Sequence, residues 1–258
     1  MTFENNSESS RPRNPRKNKT RDVQNSLWQD STQLHIASRK DVDRTLIVNE
    51  TFYSIQGESS YAGWPCAFIR LTGCNLACTY CDTTYAYEEG REISIGEITE
   101  TIQSYQCPLV EVTGGEPMLQ KNTPFLVECL LKEGFQVLLE TNGSLDIRAV
   151  SPKCVRIVDF KCPSSGMVDA NLYDNIDYLA DHDEIKFVIA DYVDFSFAKE
   201  TLLRLAARTH RHHCVHFAPV FGQLAPRKLA EWILQEHVPA RLQLQLHKIL
   251  WPAETRGV

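Results

Sequence analysis

Three cysteines stand within eight positions of the stretch GCNLACTYCDTTYA, residues 73–86: Cys74, Cys78 and Cys81, the last followed at once by Asp82 and Thr83. Thiolates this close together select zinc, copper(I) or an iron–sulfur cluster. A closed zinc site needs four ligands in a tetrahedron. A disulfide framework needs an even set and an oxidising compartment. No histidine occurs between His35 and His182, so zinc would require a distant fourth ligand such as His216. A cubane cluster held by only three cysteines instead keeps one iron free for a substrate or cofactor, and the missing ligand becomes functional.

A second stretch, TGGEP at 113–117, offers matching chemistry. Gly114 and Gly115 lack Cβ atoms, so the backbone there can approach a ligand closely. Glu116 carries a carboxylate able to accept hydrogen bonds from an ammonium group. On its own the stretch reads as a turn; next to the cysteine loop it reads as the wall of a site.

The elements that must position these residues are short apolar runs rich in β-branched side chains: CAFIRL, LVEVT, QVLLE, VRIVDF, EIKFVI, CVHFA and RLQLQL. Amphipathic stretches such as TPFLVECLLKEG, VDFSFAKETLLRLAAR and APRKLAEWILQEH separate several of them. Strands alternating with helices predict βα units and a parallel sheet. Each of the last six runs is followed by a cluster of Gly, Pro and polar residues: TGGEP, TNGS, KCPSSG, ADYVD, APVFG and HKILWP. In a (β/α) barrel the carboxyl ends of the strands converge on one face, where active sites are built. The expected fold is therefore α/β, a full or partial TIM-like barrel, with a doubly wound sheet as the alternative.

Bulk composition sets the frame. The chain has 258 residues, 43% of them hydrophobic, and a net charge of −6. That suits a soluble domain with ample core and argues against gross nucleic-acid binding. No apolar run approaches the roughly 20 residues of a membrane span, and the polar N-terminus has no secretory core, so a cytoplasmic setting is expected. Residues 1–45 hold nine Lys/Arg against six Asp/Glu, leaving the excess acid in the remainder. Residues 1–44 are expected to form a disordered, basic, polar extension, and residues 45–258 the catalytic domain.

The CxxxCxxC spacing of Cys74, Cys78 and Cys81, with TGGEP after the next strand, resembles the signature of radical S-adenosylmethionine (SAM) enzymes. Further blocks narrow the likeness: TFYSIQGES at 51–59, GWPCAFIRLTGCNLACTYCDT at 63–83, VTGGEPMLQ at 112–120, ETNGS at 140–144, VDFKCPSSG at 158–166, DEIKFVI at 183–189 and RLQLQLHKILWPAETRGV at 241–258. Together they resemble the 7-carboxy-7-deazaguanine synthase family of queuosine (7-deazapurine) biosynthesis, a tRNA modification pathway. The resemblance implies a reduced, partial barrel and a homodimer. It implies a [4Fe–4S] cluster on the three cysteines that chelates SAM and, once reduced, cleaves it to a 5′-deoxyadenosyl radical. It implies a lyase reaction, the ring contraction of 6-carboxy-5,6,7,8-tetrahydropterin to 7-carboxy-7-deazaguanine with loss of ammonia. A flavodoxin- or ferredoxin-type reductant and Mg²⁺ complete the set.

Carried over residue by residue, the resemblance puts Ile55, Gln56, Gly57, Arg70 and Thr113 on the substrate, with Glu58 as a neighbour. Tyr80, Gly115, Glu116, Thr141, Asn142, Asp159, Lys161, Ala218 and Pro219 fall to SAM, and Thr83 to Mg²⁺. Arg70 also has a bland reading, as the partner of a structural acid at the end of a buried strand. Other readings of the whole chain are another radical SAM enzyme, such as one that installs a glycyl radical on a partner protein, and a non-catalytic zinc or iron–sulfur module. Of the remaining motifs, HRHHC at 210–214 reads as a solvated helix end. Cys107, Cys129, Cys154 and Cys214 read as small buried hydrophobes, Cys66 and Cys162 as thiols nearer the active face. His247 and Lys248 are expected to end the last strand, facing the site. A solvated tail adds little to a folded core, so deletion of residues 1–44 should leave turnover within a few-fold. A steady-state assay of the truncated chain checks this, and a collapse in turnover would give the tail a role.

Overall fold

The computed structural model describes residues 43–209, 211 and 213–258. The expected extension, apart from Asp43 and Arg44, and two histidines of the HRHHC motif (His210 and His212) lie outside the described residues. The apolar runs become six parallel strands: β2 (Pro65–Leu71), β4 (Leu109–Gly114), β5 (Gln136–Thr141), β6 (Val155–Asp159), β7 (Glu184–Ile189) and β8 (Cys214–Pro219). A two-residue β9 (Arg241–Leu242) follows on β8. The long β1 (Thr45–Ile55) pairs antiparallel with β2, and the short β3 (Arg91–Ser94) pairs antiparallel with β1.

Among the described residues these strands form one sheet in the order β3-β1-β2-β4-β5-β6-β7-β8-β9, with β3 and β9 as its free edges. The parallel strands follow one another without reversal, whereas a doubly wound sheet reverses its order at a switch point. The sheet also curves: Lys186 on β7 reaches Glu140 on β5 at 2.7 Å, across the intervening β6. This is a partial TIM-like barrel, unclosed.

Alternation along each strand explains the layering. On β4, Val110 and Val112 join a buried apolar cluster with Ile98, Ile102, Leu126 and Leu130, while Glu111 between them turns inward to accept a hydrogen bond from Gln56 Nε2. The outer cover is helical: α1 (Ile95–Ser104), α2 (Thr123–Lys132), α3 (Tyr192–Thr209) and α4 (Pro226–Gln235). Phe195, Ala198, Leu202 and Leu205 of α3 are buried in a second apolar cluster with Phe187 of β7 and Phe217 of β8. No helix among the described residues is long and apolar enough to cross a membrane.

Three elements differ from expectation. The pair β3–α1 was not anticipated, although Ser94 and Glu97 form a full capping box, a readable helix start. Between β6 and β7 the crossover is made of short 3₁₀ turns rather than an α-helix. The last expected strand, RLQLQL, keeps only two ladder residues, because Leu246 N donates to Gly57 O at 3.0 Å and Gln245 Nε2 to Glu58 Oε1 at 2.9 Å. Those bonds draw the chain towards the β1–β2 loop. His247 and Lys248 accordingly open a short helix, α5 (His247–Leu250).

The amino end of β6 is held by a buried ion pair. Arg156 Nε donates to Asp183 Oδ2 at 2.9 Å, and the two side chains are 3% and 0% exposed. Asp183 also accepts from the backbone N–H groups of Arg156 and Ala180, and Arg156 Nη2 donates to Tyr178 O at 2.7 Å. Removing one partner leaves a buried charge uncompensated. Asp183→Ala should lose about 3–5 kcal/mol in equilibrium denaturant unfolding; a loss under 1 kcal/mol would show that the pair is solvated.

Candidate active site

The loops that leave the carboxyl ends of the parallel strands surround a cavity of about 660 Å³. Cys74, Cys78, Tyr80, Cys81 and Thr83 line it from the loop after β2. Thr113 and Gly115 come from the end of β4 and the turn after it, Thr141 and Asn142 from the end of β5, Asp159 and Lys161 from the end of β6, and Ala218 and Pro219 from the end of β8. Arg70 lies at the end of β2, and Ile55, Gln56 and Gly57 enter from the end of β1 and the segment after it. One cavity thus gathers every residue expected at the substrate, the cofactor and the metals except Glu116.

Glu116 lies beneath the cavity wall, with no exposed surface. Its Oε1 accepts from Met118 N at 2.9 Å and Thr141 Oγ1 at 2.7 Å, and its Oε2 from Asn142 N at 2.6 Å. Through these bonds the carboxylate positions the ends of β4 and β5. The two glycines likewise serve packing. A Cβ on Gly115 would stand 2.3 Å from Gly73 O and 2.8 Å from Cys74 Cβ, and one on Gly114 would stand 2.3 Å from Leu71 O. Their absence lets Gly115 N donate to Leu71 O at 3.2 Å and Glu116 N to Gly73 O at 2.7 Å. The GGE stretch is therefore docked on the start of the cysteine loop.

The far side of that loop is fixed as well. Thr79 donates through N and Oγ1 to Ser165 O and Ser164 O, at 3.1 and 2.6 Å. Asn142 Nδ2 lies 3.9 Å from Cys74 Sγ and 3.1 Å from Asn75 Oδ1. Burial pushes the thiols of Cys74 and Cys78 up from their ordinary range. They are therefore protonated unless a cation binds them, and an iron centre would supply that cation. The three half-buried thiols, bordered by N–H donors and facing a cavity, fit a cluster. Asp159 adds a polar group for a further ligand: Oδ2 accepts from Lys161 Nζ at 2.8 Å, while the buried Oδ1 has no partner among the described residues. Such an acceptor suits a donor group of a bound cofactor.

The floor of the cavity holds charges that sequence reasoning did not single out. Lys186 pairs with Glu58 and with Glu140, and Glu111 accepts from Gln56. Burial lifts Glu111 well above the ordinary carboxylate range, reinforced by the charges of Glu140 and Glu58. Burial alone would lower Lys186, but those same two carboxylates hold it well above its usual value. Of these, Glu111, Glu140 and Lys186 each interrupt an apolar strand run (LVEVT, QVLLE, EIKFVI), and that interruption was the available signal, whereas Glu58 was already placed beside the substrate segment. Gln245, His247 and residues 253–258 also line the cavity.

Arg70 Nε donates to Glu50 Oε1 at 2.8 Å, the structural pairing its bland reading required. Among the described residues that is its one hydrogen bond, so both terminal nitrogens remain for a ligand carboxylate. Beside the cysteines, Thr83 Oγ1 donates to Asp82 Oδ1 at 2.9 Å. Burial opposes ionisation of Asp82, but the ammonium of Lys248 holds it at about 2. The partner of Lys248 is thus an acid of the same chain. Of the other thiols, Cys66, Cys107, Cys129, Cys154 and Cys162 are buried, while Cys214 is half-buried and touches His216.

The likeness to known proteins agrees with this geometry. Residues 68–156, from β2 through the cysteine loop to the start of β6, match the model of the Radical SAM superfamily. The 7-carboxy-7-deazaguanine synthase of Chlorobaculum tepidum is 47% identical over 217 residues, covering 83% of this chain and 97% of that protein. That of Koribacter versatilis is 42% identical over 226 residues, covering 82% and 99%. In fold, the crystal structure of QueE from Escherichia coli superposes with a TM-score of 0.67 at 24% identity, over 82% of this chain and 99% of that one. A cavity walled by three thiols at the carboxyl ends of a partial barrel, in a chain with these relatives, defines a radical SAM enzyme. Such an enzyme works with a [4Fe–4S] cluster, SAM, a reductant and a small-molecule substrate. Within that class the chain belongs to the 7-carboxy-7-deazaguanine synthase family, which sets aside the glycyl-radical and non-catalytic readings.

The docking of Gly115 on Cys74 makes a sharp prediction. Gly115→Ala should displace the cysteine loop and at least halve the iron and acid-labile sulfide bound per chain after anaerobic reconstitution, with an unchanged far-ultraviolet circular dichroism spectrum. Full iron content in this variant would show that the loop tolerates the intrusion.

Proposed function

We propose that this chain converts 6-carboxy-5,6,7,8-tetrahydropterin to 7-carboxy-7-deazaguanine with loss of ammonia, a step in queuosine (7-deazapurine) biosynthesis. The observation that carries this reading is the shared cavity: three thiols on one wall, an arginine with free terminal nitrogens on another, and buried carboxylates on the floor. The names of the relatives, up to 47% identical, point to the same product.

The cluster and SAM, when bound, supply one-electron cleavage and hydrogen-atom abstraction. The residues of the chain bind and orient. Arg70 offers a planar, bidentate donor to the anionic carboxylate of the pterin, whose enclosure away from water needs a charged partner. Ile55, Gln56, Gly57 and Thr113 hold the ring system, and Glu58 stays ionised beside Lys186. Tyr80, Gly115, Thr141, Asn142, Asp159, Lys161, Ala218 and Pro219 line the SAM side, with Glu116 positioning Thr141 and Asn142. Mg²⁺ prefers oxygen ligands, and the hydroxyl of Thr83 next to the Asp82 carboxylate provides them. A homodimer in the cytoplasm, reduced by a flavodoxin or ferredoxin, completes the proposal.

Anaerobic reconstitution followed by incubation with the carboxypterin, SAM and a reductant tests the reaction. 7-Carboxy-7-deazaguanine and ammonia should appear in equal amounts, and Cys78→Ala should produce neither. Within the site, Arg70→Ala should weaken pterin binding by about 2–5 kcal/mol while leaving SAM affinity unchanged. Thr83→Ala should lower turnover and its Mg²⁺ dependence with the cluster intact. Loss of SAM binding with normal pterin affinity in either variant would overturn this division of the cavity.

A further inference from the structure

A second group of metal-type donors lies at the opposite end of the parallel strands from the cysteine loop. Glu184 is the first residue of β7 and Cys214 the first of β8, and the two are neighbours in the parallel register. His216, two residues further along β8, projects from the same face of the strand as Cys214. The imidazole Nε2 of His216 lies 2.7 Å from Glu184 Oε2 and 3.4 Å from Cys214 Sγ. The three donor atoms all fall within 4.8 Å of one another.

One ring nitrogen thus has both a carboxylate oxygen and a sulfur converging on it, with at most one hydrogen to share between them. A cation among the three atoms would engage them all. We propose that Glu184, Cys214 and His216 form a mononuclear binding site for a divalent transition ion of the zinc type, separate from the three-cysteine loop.

The donor set of one sulfur, one nitrogen and one oxygen is borderline-soft, which favours zinc over magnesium or calcium. With Zn–N of about 2.0–2.1 Å and Zn–S of about 2.3 Å, a tetrahedral N···S edge is roughly 3.5 Å, close to the observed separation. The carboxylate has only to move back by roughly half an ångström to reach its own tetrahedral edge. An outer layer of partners is also present. Ser60 donates to Glu184 through its hydroxyl and its backbone N–H, and Arg241 Nη1 lies 3.8 Å from Cys214 Sγ, where it would support a thiolate. Glu184 and His216 are buried, whereas Cys214 keeps part of its surface open as a way in. Through Ser60 the ion would tie the loop after Glu58, beneath the cavity floor, to the ends of β7 and β8.

Metal analysis of the full-length enzyme, purified anaerobically from zinc-supplemented cells with its cluster in place, should find one zinc per chain beside the iron. Cys214→Ser should lose the zinc and keep the iron. As a second measurement, a chain with Cys74, Cys78 and Cys81 all replaced by Ala should bind one equivalent of Co²⁺ and show a thiolate-to-cobalt charge-transfer band in the near ultraviolet. Zinc should displace that band, added Cys214→Ser should abolish it, and His216→Gln should weaken Co²⁺ at least tenfold. Absence of the band at saturating Co²⁺, or its survival in Cys214→Ser, would overturn the proposal. So would rapid alkylation of Cys214 in a chain that takes up neither metal, which would identify a reactive thiol instead.

Discussion

The carboxylate of Glu116 is the joint on which the site is assembled. Fully enclosed, it accepts three hydrogen bonds from its own turn and from the end of β5, while its backbone N–H donates to Gly73 at the start of the cysteine loop. Hydrogen bonds to a charged group contribute about 1.5–3 kcal/mol each, and here they also offset the desolvation that lifts this carboxyl above its ordinary range. One buried charge thereby sets the relation between the thiols, the β4 turn and Asn142. The two preceding glycines make the joint possible, because any side chain there would collide with Leu71 or Gly73.

A second constraint is the charged interior. A barrel of this type normally fills its centre with branched apolar side chains; here the centre holds Glu58, Glu111, Glu140 and Lys186. Lys186 is the ammonium among those three carboxyls, and its two direct pairs leave Glu111 to be satisfied by the amide of Gln56. That arrangement gives the cavity a polar floor in place of apolar packing. The apolar packing that holds the domain together lies instead on the outside of the sheet, in two clusters beneath the helices.

Much of this could be read from the chain alone, for physical reasons. The six parallel strands announce themselves as β-branched runs closed by Gly, Pro and polar residues, and the cysteines are legible because their spacing is local. The pair β3–α1 escaped because REIS is short, largely exposed and charged, with only its capping box as a signal. RLQLQL has the alternation of a strand, yet its backbone is recruited by Gly57. The interior charges were the hardest to see: Lys186 meets Glu140 and Glu58 across 46 and 128 residues of sequence, and only the curvature of the sheet brings them together. Glu116 was visible as a functional residue, but its role as a support for the site depends on where the end of β5 falls.

The floor of the cavity, finally, is completed by chain that does not belong to the parallel set, beside Glu111, Glu140 and Lys186 of the parallel strands. Gln56, Gly57 and Glu58 leave the end of an antiparallel strand and meet the segment Gln245–His247 beneath the site. The thiols, the β4 turn and Asn142 come from a different, contiguous stretch. Part of the cavity lining is therefore carried on pieces of polypeptide separate from the cysteine loop. A lineage could exchange the segment after β1 and the closing segment, reshape that side of the cavity, and leave every parallel strand as it was.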